Sequence, residues 1–597
     1  MKIKHFFGLA VIAAMTASCS SNEDLGTAGP GTGTNEAGVS YASITINLPT
    51  TSGTRAVDGS KNDQFDEGTP SEYAVNDATL VIFEKAGESE NDYKYVEAVS
   101  LGNLEPWKKD NDSNNGITTE ATLTAKLNSA TVDENGDKYY ALVILNNQAG
   151  TDKKVTLPSG SITYGAWNVA SNATATNLVN NKDGFYMANA PRFTEANVEP
   201  TTLVPIKGIY RTKEEAQSKA ATTIHVERGL AKVTVGPNST GKNYFAKDGA
   251  TATGSNYSND KVTITNWALD VTNNYSFPVH VTSGLKSGTT IGEGQKVTGY
   301  KDIWKNEAAT AGTIAATNRF VSQLSVKDAF KRVYWGIDPN YSMDLKDYSK
   351  CEEQFTLVKT DGTDAVWKSS EDPLYCLENT FDINNMKQGQ TTRVLLKATY
   401  TPSAVATEKD KTFFMIGNSS DIWTVTTLAK QIKSKAEEVL NNTTDVTVTL
   451  NDEIKAAGTH VLDATNVTIK LGEVDKTADI VDQINNKLGF DKGKGVGIKT
   501  YKNGESYYIA RIKHFGDNLT PWSAGSETYG GNNLNWLGRY GVLRNNWYDL
   551  TVNSISGPGY PDVPKVNPDV PDDENTKYIN VSVKILDWAK RSQSVDL

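Results

Sequence analysis

The sequence predicts a mainly β protein, and three observations carry that prediction. Glycine is abundant at 48 of 597 residues, and Thr, Asn and Ser are frequent, which is turn and strand chemistry. Runs that alternate apolar and polar residues recur along the chain. Helical periodicity is confined to a few short stretches. At roughly 100–200 residues per domain the length allows three to five units, or two larger all-β ones. A hydrophobic fraction of 38% is enough for buried cores and excludes wholesale disorder. The net charge of -11, with no basic block, excludes a nucleic-acid partner, because phosphate binding needs clustered Lys and Arg.

The chain opens with Lys2 and Lys4, an apolar run over 6–15, and the small residues Ala17 and Ser18 before Cys19. That is a secretory signal, too short to span a bilayer, and its ending fits the bacterial lipoprotein pattern with Cys19 as the expected lipidated residue and Thr16 as its one unusual position; the plainer alternative is ordinary secretion with an incidental Cys. Residues 20–38 read as a flexible Gly/Thr/Ser tether. The first strand is 41–48 (YASITINL), with Ala42, Ile44, Ile46 and Leu48 on one face. Runs at 78–83 (ATLVIF) and 139–145 (YYALVIL) suit central strands covered on both faces. Thr212 to Glu215 spell a capping box, so a short helix extends to about residue 220. A domain boundary is expected near residue 222. Further strands are predicted at 226–235, 261–267, 392–400, 445–450, 507–513 and 548–555. Helices are predicted at 426–440, through Leu428, Ile432 and Val439, and at 478–488, through Ile480, Ile484 and Leu488, with Gly489 as its stop. Cys351 and Cys376 form a possible disulfide or remain two free thiols.

Residues 557–571 (GPGYPDVPKVNPDVP) form an extended, semi-rigid spacer. Beyond it lies one more alternating strand, with Ile579, Val581, Val583 and Ile585 on one face before Leu586-Asp587-Trp588 breaks the pattern. The two ends therefore carry similar strands. The first is followed by the small, polar loop 50–56, where Arg55 is the first basic residue after the signal, and such loops are where proteases cut. A cut at Arg55–Ala56 would detach the first strand and leave an apolar groove with open backbone. The terminal strand, held away from its own body by the spacer, would fill that groove in a neighbour. Four buried aliphatic side chains contribute about 6–12 kcal/mol before ordering costs. Such a head-to-tail linkage does not close and so builds a filament. The plainer alternative is two ordinary edge strands of a monomer.

Several stretches resemble the fimbrillins of Bacteroidetes, the type V pilins, and among them the shaft subunits of minor (Mfa-type) fimbriae. They are the Cys-ended signal, Thr54-Arg55-Ala56, residues 226–233 (VERGLAKV), 375–381 (YCLENTF), 543–548 (LRNNWY), the Pro/Asp spacer, and the endings 585–588 (ILDW) and 594–597 (SVDL). The resemblance implies two transthyretin-like β-sandwich domains with long insertions, over 56–222 and 223–556. It implies a signal at 1–18, a tether and removable strand at 19–55, a spacer at 557–576 and a donor strand at 577–597. It also implies export to the outer membrane surface, cleavage by an Arg-specific surface protease, and donor-strand exchange. The implied partners are other copies of the chain, accessory tip and anchor subunits, that protease, and outer-membrane lipid before the cut.

Enzymatic readings find little material. His225, His280, His460 and His514 are far apart, with no His-x-x-x-His or Cys-x-x-Cys frame, so no metal, cofactor or catalytic residue is expected. Adjacent acidic pairs such as Glu352-Glu353 would point to opposite faces of a strand. The competing reading is a surface glycan-binding lipoprotein, for which the 11 tryptophans and 26 tyrosines would supply stacking platforms. Trp107, Trp267, Trp335, Trp423, Trp536 and Trp588 stand in strand-like contexts, where core packing is the usual role. A tip or anchor subunit is the alternative within the family.

Overall fold

The computed structural model describes residues 38–49, 69–102, 104, 107, 120–149, 151–170, 173–192, 200–282, 290–292, 295–296, 333, 335–382, 385–514, 537–572 and 579–587. Cys19, Arg55, Ala56, Trp536 and Trp588 lie outside the described residues, as do the signal and the tether up to residue 37.

The fold is mainly β, in two sandwich bodies. The first is built on β1 (Ser40–Asn47), β2 (Ala78–Glu84), β3 (Lys94–Ser100), β4 (Glu120–Leu127), β5 (Tyr139–Leu145), β6 (Met187–Asn189) and β7 (Thr222–Arg228). Their order across the sheet is β3-β2-β5-β6-β7-β1-β4, with Val204–Pro205 added beside β5. The apolar runs at β2 and β5 become neighbours in the interior of this order, second and third from the β3 end, as strands covered on both faces should. Aliphatic side chains of β1, β2, β4, β5 and β7 fill one core, joined by Trp107 and Trp167.

Gly229 divides the 226–235 run. Residues up to Arg228 belong to β7 in the first sheet, and β8 (Leu230–Pro237) starts a second sheet. The chain thus changes bodies at Gly229, seven positions beyond the expected boundary at 222. The reason is local: a Cβ at residue 229 would sit 2.9 Å from the Tyr186 ring. The Gly229 N–H donates to the Tyr186 carbonyl at 2.9 Å. Only a residue without a side chain lets the backbone turn so close to that ring.

The second body continues through β9 (Lys261–Asp270), β10 (Leu374–Leu377), β11 (Arg393–Thr401), β12 (Glu505–Arg511), β13 (Asn546–Ile555) and β14 (Ile579–Asp587). One sheet runs β10-β8-β13-β14 and the other Ala250–Thr251, β9, β11, β12. Side chains from both sheets share a single core, with Trp267, Tyr400, Tyr508 and Tyr548 among its large members.

Strands β11 and β12 pair as a hairpin, and the intervening chain forms a separate lobe with its own core. That lobe holds the two main helices, Val425–Leu440 and Thr477–Leu488. Leu428 and Ile432 of the first and Ile480 and Ile484 of the second are buried. Gly489 ends the second helix at φ +70°, in the left-handed conformation that glycine adopts without strain. The predicted capping box also forms: the Glu215 N–H donates to Thr212 Oγ1 at 3.2 Å, opening the helix Lys213–Ser218.

Candidate functional site

Strand β1 lies inside the sheet. It pairs antiparallel with β4 along all eight of its residues and parallel with β7 from Ile44 to Asn47. Its alternation fixes which side chains go inward. Ala42, Ile44 and Ile46 are 0% exposed and Leu48 is 1% exposed, all in the first core. On the other face the Ser43 hydroxyl donates to the Ala216 carbonyl of the capped helix at 2.8 Å. The Ser40 hydroxyl donates to the Ala130 carbonyl at 2.6 Å. Thr45 and Thr122 hydroxyls meet at 2.8 Å on the exposed side. Taking β1 away would therefore leave a seat walled by β4 and β7 and floored by the core.

The next described residue is Thr69. The short helix Pro70–Tyr73 carries Glu72, whose carboxylate is 1% exposed. Glu72 Oε1 pairs with Lys232 Nζ at 2.8 Å and accepts from the Tyr375 hydroxyl at 2.8 Å. The Arg228 guanidinium lies 4.5 Å from the Tyr73 ring centroid and donates through Nε to the Glu72 carbonyl at 3.0 Å. Between the end of the β1 region at Pro49 and this anchor run residues 50–68, which contain Arg55. A break at Arg55 would leave the first strand with non-covalent attachments alone, while residues from 69 onward stay tied to the second body.

Three of the stretches singled out in the sequence come together beside this anchor. The Asn545 side-chain carbonyl accepts from the Arg228 N–H at 3.1 Å, and the Asn545 N–H donates to the Leu230 carbonyl at 2.7 Å. Asn545 adopts φ 59°, a left-handed conformation that Asn tolerates better than most residues. Arg544 Nε donates to Glu378 Oε2 at 3.0 Å, with both side chains buried. Lys232 Nζ sits 4.0 Å from the Trp547 ring centroid. The sequence did not single out Glu72. Its Thr69-x-x-Glu72 spelling marks a helix start, but nothing local announces Lys232 and Tyr375 as partners.

The C-terminal strand is placed differently from the expectation. β14 does not stand away from its body; it pairs antiparallel with β13 as the outermost strand of the second body. The register sets Ile579, Val581, Val583 and Ile585 opposite Ile555, Val552, Leu550 and Tyr548, and these four β13 residues are 0% exposed. The spacer also lies against the body. Tyr560 and Tyr507 exchange backbone hydrogen bonds, and Val563 and Val566 are buried. Arg393 Nη2 donates to the Pro564 carbonyl at 2.6 Å, and Arg511 pairs with the buried Asp572. The physical reason is that prolines add neither charge nor an N–H donor to the segment, so Val563 and Val566 can bury against the side of the sandwich.

Cys351 and Cys376 are free and buried, in separate apolar clusters, so they are not the disulfide considered above. Burial pushes the Cys351 thiol up to about 11 and the Cys376 thiol up to about 12. The histidines are dispersed: His280 Nδ1 meets Glu227 Oε1 at 2.8 Å, and His514 Nδ1 meets the Tyr548 hydroxyl at 2.8 Å. Among the described residues no group of His, Cys, Asp and Glu is placed to hold a metal ion. Trp107, Trp267 and Trp335 are at most 3% exposed, so they pack the cores and offer no sugar platform. Among the described residues no helix is long and apolar enough to cross a membrane.

Residues 499–594, which include β12, β13, the spacer and β14, match the family model described as "Major fimbrial subunit protein type IV, Fimbrillin, C-terminal". Over those residues the chain is similar to the C-terminal region of fimbrillins. Solved structures similar to the chain include a fimbrilin from Porphyromonas gingivalis W83, at 11% identity, covering 92% of this chain and 99% of that one, with a TM-score of 0.33. A putative cell adhesion protein from Parabacteroides distasonis ATCC 8503 is similar at 10% identity, over 93% of this chain and 98% of that one, with a TM-score of 0.33. The tip fimbrial protein Mfa3 from Porphyromonas gingivalis, with C-terminal truncation, is similar at 9% identity, over 92% and 100%, with a TM-score of 0.27. No curated protein matches the chain.

Proposed function

We propose that this chain is a structural, non-enzymatic subunit of a cell-surface fimbria that joins its neighbours by exchanging strands. In this reading it is exported as a lipoprotein on Cys19 and held by outer-membrane lipid until an Arg-specific surface protease cuts after Arg55. The first strand then leaves, and the C-terminal strand of another copy takes its seat. The partners are other copies of the chain, with accessory tip and anchor subunits at the filament ends, and the role is adhesion and biofilm support. The observation that carries the reading is the position of β1: its apolar row fully buried, the strand inside a sheet, and followed by the stretch 50–68 that contains Arg55. The pairing of β14 at an outer edge supports the second half, because an edge strand leaves by breaking one ladder alone.

Two measurements test it. N-terminal sequencing of protein released from the cell surface should begin at Ala56; an acylated Cys19 on assembled fimbriae would overturn the processing step. Deleting residues 577–597 should abolish polymers on denaturant-resistant gels while both sandwiches stay folded. Polymers from the truncated chain would assign the donor to another segment.

A further inference from the structure

We infer that Glu97 is a positioning residue for strand exchange, holding β4 in place as one wall of the seat while that seat is empty. The inference rests on the exchange reading above. It starts from the sheet order, in which β3 and β4 are the two terminal strands. Among the described residues β4 has one strand neighbour, and that neighbour is β1. Loss of β1 therefore removes the whole ladder of β4, and the incoming strand would meet a wall free to collapse onto the exposed core.

Glu97 counters this from the opposite end of the sheet. It stands on β3, 7% exposed, and its carboxylate accepts from three successive backbone N–H groups just beyond β4. Oε2 accepts from Asn128 at 2.9 Å, and Oε1 accepts from Ser129 at 2.8 Å and from Ala130 at 2.7 Å. The aim of the side chain is built into the backbone. In the β2–β3 ladder Ile82 faces Glu97 and Phe83 faces Tyr95, so Val96 is an extra residue, a bulge beside Glu97. Bulges re-aim the side chains next to them. The Tyr139 hydroxyl accepts from the next amide, Thr131, at 3.1 Å and extends the clamp. None of these bonds involves β1. The Ser40 hydroxyl on the Ala130 carbonyl departs with the strand, but the Glu97 contacts stay. Charge-assisted bonds to a buried carboxylate are stronger than neutral ones, so three of them are a durable fastening.

The test uses the full chain cut at Arg55 and a fluorescent peptide copy of residues 577–597 in excess. Wild type, Glu97→Gln and Glu97→Asp are compared for peptide capture, and for hydrogen exchange at the amides of Asn128, Ser129 and Ala130. Glu97→Gln keeps the shape but loses the charge, and should lower protection at those amides by about 10–100-fold and slow capture by about tenfold or more. A purely structural role would weaken the uncut chain and peptide capture in proportion; the clamp predicts the larger effect after the cut. Glu97→Asp, which keeps the charge, should fall between the two and decides the case if the Gln variant does not fold. Equal amide protection in wild type and variants overturns the clamp. If wild type captures no peptide, the exchange reading fails, while the amide protection still judges the clamp.

Discussion

Truncating Ile44 to Ala gives the most direct measure of how firmly β1 is held. Ile44 is 0% exposed, in the middle of the strand, opposite Leu123 on β4 and Thr222 on β7. Removing three buried carbons costs the transfer free energy plus a cavity, and the site is bounded by paired backbone on both sides, so it collapses poorly. The expected cost is about 3–4 kcal/mol, within the range for Ile→Ala in a packed core. In the uncut chain this should lower the urea midpoint of the first body. After the cut the same loss acts on a dissociable strand, and about 3–4 kcal/mol corresponds to roughly 150–1000-fold weaker retention. Size-exclusion of the cut protein, followed by mass spectrometry for the released strand, reads that change. Thr45→Ala is the matched control: its hydroxyl bonds to Thr122 on the exposed side, and it should shift stability by less than about 0.5 kcal/mol. If Ile44→Ala and Thr45→Ala behave alike in both assays, the apolar row of β1 does not retain the strand.

Glu72→Ala should cost about 3–5 kcal/mol, because it strands the Lys232 ammonium in a buried site; a calorimetric change below about 1 kcal/mol would contradict the anchor. His225, opposite Asn47 of β1, has its pKa lowered to about 4 by burial and by nearby Arg192. Its neutral form is favoured in the folded state, so its contribution is complete above about pH 6.5 and is lost as pH falls towards 4. Between pH 7 and 5 wild type should therefore lose more stability than His225→Asn; parallel losses would remove His225 as the cause. Cys351 and Cys376 should resist alkylation at pH 8 in the native state and react on unfolding, with no disulfide-linked peptide in a non-reducing digest.

The parts of this fold written in local pattern were readable from sequence. Strands such as β2, β5 and β13 announce themselves because both faces of the first two and one face of the third are buried, and an unbroken apolar run or alternation reports that burial. The capping box at Thr212 and the glycine stop at 489 were readable because both are satisfied within a few residues. Pairing was not readable in the same way. That β1 lies beside β7, some 180 positions later, depends on a parallel contact with no turn to mark it. The Gly229 break was hidden inside an apolar run, since the cause is the ring of Tyr186 rather than any neighbour in sequence. The spacer was read wrongly as detached, because proline content bears on backbone shape and says nothing about where Val563 and Val566 are buried. Glu97 gave no signal: a single acid in a strand reads as a surface residue until its three amide partners are seen.

The change of bodies at Gly229 has a mechanical consequence. The spacer continues directly from β13, whose neighbour β8 runs parallel to it from Lys232 to Pro237. Past Gly229 the same chain becomes β7, the strand beside the β1 seat. In a filament joined through that seat, a pull on the terminal arm passes from β13 across one ladder to β8, along the covalent chain into β7, and across a second ladder to the guest strand. With a guest strand that keeps the parallel direction of β1, both ladders are loaded along their length, so their hydrogen bonds share the force together and do not open one after another. Each subunit would then behave as a splice between two overlapped cords, with its greatest strength along the filament axis.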